Sequence, residues 1–161
     1  MEIKAQQMKL YVPLLITSIL LLIIGLGPGL FNQSSLGGYS WQHQIFDILC
    51  HQDVNRSYTI HGEAMAICSR CLGIYGSFAA GILLMPLISR FFTVINHLIL
   101  KLILVTIVLN LVDVFFNALG IWTNTLHSRF LLGALFGGAL AFYLTNEFFK
   151  QIDKPEESYG E

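Results

Sequence analysis

The chain has 161 residues, 55% of them hydrophobic and only 12% charged, with a mean hydropathy of +0.66 and a net charge of −1. Soluble domains carry about twice that charged fraction, so the composition reads as one integral membrane domain. The absence of a basic field argues against a nucleic-acid partner. Three cysteines are too few for a disulfide framework.

Lys4 and Lys9 precede an apolar run from Leu10 to Leu26 that ends at Gly27-Pro28-Gly29. A secretory signal is the alternative, but the run is long and no Ala-x-Ala site follows. A retained span over about 10–30 is expected, since crossing takes ~20 apolar residues. The polar linker from Asn32 to Tyr39 leads to Trp41, Ile45 and Leu49 at i, i+4 and i+8. That spacing predicts a short amphipathic helix on the membrane surface.

Further apolar runs predict spans over about 72–88, 94–119 and 128–149. Ser89-Arg90-Phe91-Phe92 joins the second to the third, and Trp122-Thr123-Asn124-Thr125 the third to the fourth. Gly133, Gly137 and Ala141 give the last span a face of small residues for helix packing. Residues 150–161 read as a mobile acidic tail. The expected fold is all-α, a four-transmembrane-helix bundle with a Cys/His-rich loop over 40–71 between helices 1 and 2. With four spans, Lys4, Lys9, Arg90, Lys101, Lys150 and Lys154 fall on one side, and Arg56, Arg70 and Arg129 on the other. The positive-inside rule then puts the termini in the cytoplasm and the cysteine loop outside. The expected location is a multi-pass position in the cell membrane, with the lipid bilayer as partner.

All three cysteines fall in the stretch from Cys50 to Tyr75. Cys68-x-x-Cys71 can grip one metal from a single helical turn, and Cys50 adds a third sulfur. Zinc takes four nitrogen or sulfur ligands in structural sites, so His61 is the expected fourth, with His51 as the alternative. Zinc is the expected ion, with iron or no metal as other outcomes. A second reading is redox, because a CxxC pair at a helix N-terminus beside Arg70 favours the thiolate. A third is a small transport or accessory subunit. The chain carries no Walker loop, nucleophile elbow or His-Glu-x-x-His, and no reaction is assigned.

Thr106, Asn110, Asp113 and Asn117 share one face of the third predicted span. An intramembrane carboxylate needs a partner or a polar cavity, and Arg129 across the short turn is the expected one. Asn110, Asn117, Arg56 and Arg70 complete the candidates for a polar pocket beneath the cysteine loop, open to a small molecule or lipid. His43, His97 and His127 have weaker claims.

Cys50-His51-Gln52, Arg56-Ser57 and Cys68-x-Arg70-Cys71-x-Gly73-Ile74-Tyr75 together resemble a prokaryotic family of small predicted membrane proteins, domain of unknown function 2085. The family pattern continues with an intramembrane Asp, here Asp113, and an Asn/Thr-x-x-x-Arg-x-x-x-Gly stretch, here Thr125 to Gly133. The resemblance covers about Cys50 to Gly138. It brings no activity, but implies that the cysteine loop, Asp113 and Arg129 belong to one recurring unit.

Overall fold

A computed structural model describes residues 5–27, 29–30, 41–88 and 96–150. The linker over 32–39, the connection through 89–92 and the tail from 151 lie outside the described residues. Helix α1 spans Ala5–Gly25, α2 Trp41–Phe46, α3 Ser69–Ile88, α4 Asn96–Ala118 and α5 Leu126–Lys150. A 3₁₀ turn at Val54–Arg56 and a hairpin, β1 (Thr59–Ile60) paired with β2 (Glu63–Ala64), complete the loop between α2 and α3. Among the described residues the regular structure is therefore helical apart from one small hairpin.

The expected four-transmembrane bundle is not supported. Among the described residues only Leu98–Ala118 and Leu126–Leu144 are helices long and apolar enough to cross a membrane. The apolar parts of the other two long helices, Lys9–Gly25 and Ser69–Leu84, fall short of the ~20 residues a crossing takes. The physical reasons lie at the helix ends. Lys9 and Gly25 bound the apolar run of α1 among the described side chains, and α3 gives its first turn to Ser69, Arg70 and Cys71, which leaves fewer apolar residues for a crossing.

Helices α3 and α5 form the closest helix pair. Gly73 lies against the Phe130 carbonyl, Gly133 against that of Arg70, Gly137 against that of Ile74, and Gly81 against the Ala141 side chain. A side chain at any of these glycines would overlap its neighbour, so the backbones meet along a small-residue seam. Matching positions rise together along the two helices, which therefore run parallel. Helix α4 packs antiparallel on α5, with Asn110 Nδ2 donating to the Leu132 carbonyl at 3.1 Å. Helix α1 runs antiparallel to α3, tied by the Tyr11 hydroxyl donating to the Ile82 carbonyl.

One end of the molecule consequently gathers the C-termini of α1 and α4 with the N-termini of α3 and α5. Its plug is Phe46, Cys50, Ala66 and Ile67, packed by Leu21, Ile24, Leu72 and Tyr75. In α2 the residues turned inward are Gln42 and Phe46, whereas Trp41, Ile45 and Leu49 are exposed. The apolar stripe read from the sequence thus forms the outer side of this segment.

Candidate metal centre and polar network

Cys50 ends the turn after α2, its N–H bonded to the Phe46 carbonyl at 2.8 Å. Cys68 caps α3, since its carbonyl accepts the Leu72 N–H, and Cys71 follows one turn in. The three Sγ atoms lie within 4.8 Å of one another, with Cys50 buried and the other two half-buried. All three are free thiols. The Cys68 N–H donates to Cys50 Sγ at 3.1 Å, so the α3 N-terminus holds one sulfur in place. Hydrogen bonding with Cys50, then with Cys71, brings the Cys68 thiol well below the ordinary thiol range. Three thiolates bound at ~2.3 Å to one zinc stand about 3.8 Å apart, so a small inward adjustment of these side chains would bring them to bonding distance.

His61, the expected fourth ligand, stands elsewhere. It is an exposed residue in the two-residue turn between β1 and β2, with φ +51 at His61 and +85 at Gly62. Positive φ at both positions is the signature of a type I′ hairpin turn, and His is among the residues that tolerate it. Its Nδ1 faces the Gly29 carbonyl at 3.1 Å, tying the hairpin to the chain after α1. His51, the alternative, is exposed beside Cys50. Gln52, at φ +46, reaches back with Nε2 to the His43 carbonyl. His43 itself titrates below its ordinary range through burial.

The expected pairing of Asp113 with Arg129 needs correction. Asp113 is ion-paired with Arg70 through one carboxylate oxygen, which also accepts from Asn124 Nδ2 at 2.6 Å. Arg129 lies one layer outward, its Nη2 donating to Asn117 Oδ1 at 3.4 Å. Asn117 Oδ1 also accepts the Asn124 N–H. The helix pitch explains the exchange: Asn117 is one turn nearer the α4–α5 connection than Asp113, and Arg129 opens α5 at that level. Five residues from α3, α4, the connection and α5 therefore form one network.

Among the other pocket candidates, Asn110 binds backbone carbonyls of α4 and α5. Arg56 pairs with Asp53 at 2.9 Å, outside this network. Sequence reasoning missed Asn124, although its place in a polar turn beside Asn117 was a usable signal. It also missed Tyr58, whose hydroxyl meets His127 Nδ1 at 3.0 Å. A separate cavity of about 230 Å³ between α1, α3 and α5 is apolar, lined by Leu21, Ile74, Tyr75 and Phe78 among others.

Residues 50–143 match the family described as predicted membrane protein, DUF2085. The chain is also 31% identical over 114 residues to the uncharacterized protein MJ1492 of Methanocaldococcus jannaschii, covering 70% of this chain and 71% of that relative. No solved structure matches. The matched region begins at the first cysteine, takes in Leu98–Ala118 and ends within the second apolar helix, and by this match over more than half of its length the chain belongs to the DUF2085 family of predicted membrane proteins.

Proposed function

We propose that this membrane protein binds one metal ion, zinc, through Cys50, Cys68 and Cys71. The observation that carries this reading is the convergence of the three sulfurs within 4.8 Å. Two features support it. The cysteines come from two separate segments, and packing rather than adjacency brings them together. The Cys68 N–H directed at Cys50 Sγ is an outer hydrogen bond of the kind that orients metal ligands. Three protein ligands leave a fourth position, for water in a catalytic zinc site or for a further side chain in a structural one. Bound there, zinc would supply Lewis acidity. His61 takes that position only by leaving the Gly29 carbonyl.

We place the cysteine end on the extracytoplasmic side, because by chain position Lys4, Lys9, Arg90, Lys101, Lys150 and Lys154 belong to the other side, against Arg56, Arg70 and Arg129 here, as the positive-inside rule favours.

Elemental analysis of detergent-purified protein tests the metal. About one zinc per chain is expected, lost in Cys68→Ser. His61→Asn keeps a residue that tolerates the turn and should retain the metal. Loss of metal in that variant would make His61 the fourth ligand. A metal-free, folded protein with Cys68 and Cys71 joined by a disulfide would overturn the proposal. It would favour a thiol–disulfide oxidoreductase, a reading to which the lowered Cys68 thiol also lends support.

A further inference from the structure

The polar network at the cysteine end, Arg70, Asp113, Asn117, Asn124 and Arg129, carries more positive charge and more hydrogen-bond donors than its own described groups satisfy. Arg70 lies in the first turn of α3 and Arg129 in the first turn of α5, and neither first turn holds an acidic residue. A helix N-terminus favours anions, so both arginines sit where the helix dipole opposes them. Because α3 and α5 run parallel, the two unfavourable ends are side by side. Arg56 and Arg70 also act on Arg129 as like charges. Within the network two guanidiniums, Arg70 and Arg129, thus face one carboxylate, Asp113.

The donors show the same surplus. Arg70 Nε and Arg129 Nε are both shielded from solvent and have no acceptor among the described residues. Asp113 accepts from Arg70 and Asn124 through the same oxygen. Among the described residues the Arg129 guanidinium makes one hydrogen bond, the long contact to Asn117. Polar groups held this way are costly unless an acceptor completes them.

We propose that Arg70 and Arg129, with Arg56 at the rim, form a binding site for a phosphate-type oxyanion at the cysteine end of the molecule. One added negative charge offsets the surplus of one. A phosphoryl group brings several oxygens to donors arriving from two helices, and guanidinium planes match it by paired hydrogen bonds. Its source is either free phosphate or the phosphodiester of an anionic lipid headgroup, one with no ammonium to offset its charge, both within reach of a membrane-embedded helix end. The site stands on the arginines and does not require the metal.

The test is thermal unfolding of the purified protein, followed by Trp41 and Trp122 fluorescence, with inorganic phosphate against chloride at matched ionic strength. In parallel, the protein is compared in nanodiscs of phosphatidylglycerol and of phosphatidylcholine. Saturable stabilisation by phosphate, with at least tenfold weaker apparent affinity in Arg129→Gln and unchanged metal content, is the result expected for a free anion. Stabilisation by phosphatidylglycerol alone, lost in Arg129→Gln, assigns the headgroup. Equal effects of phosphate and chloride together with equal stability in both lipids overturn the proposal, and need only the wild-type protein. An unchanged phosphate response in folded Arg129→Gln also overturns it, by moving the anion to the metal or elsewhere.

Discussion

Asp113 is buried and receives two donors, the Arg70 guanidinium and the Asn124 amide. Removing it leaves a partly buried guanidinium without its counter-charge, at a cost of about 3 kcal/mol. Asp113→Ala should therefore lower the unfolding temperature in detergent, and adding Arg70→Met should recover most of the loss. Adding Arg129→Met should not. Equal rescue by both arginine changes would show that the carboxylate has no preferred partner. That Asp113 needs a partner was legible in the sequence, because a lone carboxylate in an apolar run is costly. Which arginine serves was not. Arg129 is 16 positions away across a short turn, whereas Arg70 is 43 positions away and reaches Asp113 only after α3 packs beside α5. The same holds for His61. Its residue type suggested a ligand, but two consecutive positive φ angles make it a turn residue facing Gly29.

At the scale of elements, the α3–α5 seam separates two neighbouring glycines. A side chain at Gly137 would overlap the Ile74 carbonyl and the Ser77 hydroxyl, while one at Gly138 meets nothing within 4 Å. Gly137→Ala should destabilise by about 1–3 kcal/mol through overpacking. Gly138→Ala should be neutral or stabilising by roughly 0.5–1 kcal/mol, since alanine loses less entropy in a helix. Thermal unfolding of the two variants reads the difference, and similar behaviour of both would remove the seam from the account. The stripe on α5 could be read from Gly133, Gly137 and Ala141 spaced by four. Its counterpart on α3, Gly73, Ser77 and Gly81, has the same spacing of four, but there Gly73 also belongs to the cysteine motif, which hides the repeat. The helices themselves were visible as apolar runs, with α3 starting earlier than expected. Apolar length alone overstated α1 and α3 as spans, because their ends are recruited to pack the cysteine loop. The hairpin escaped notice because four strand residues carry too little pattern.

Across the whole molecule, four helix ends meet around one plug, and both the sulfur cluster and the arginine network belong to that end. A cysteine at Asn55 should react with a membrane-impermeant maleimide added outside intact cells, beyond the background of the unsubstituted protein. Asn55 is exposed, whereas Ser57 is buried and unsuitable. Labelling only after lysis would put this end in the cytosol and remove the proposed orientation. The parallel course of α3 and α5 has a consequence for the chain between them. Two parallel rods cannot be joined by a short turn, so α4 is the return path, and its 23 residues give it a reach of ~35 Å at 1.5 Å per residue. One residue inserted in the middle of α4 would advance everything after it by ~1.5 Å and rotate it by about 100°. Asp113 could then stay level with Arg70 only if α5 slid along its groove. A change of length within α4 thus breaks the register that its polar face keeps with α3 and α5.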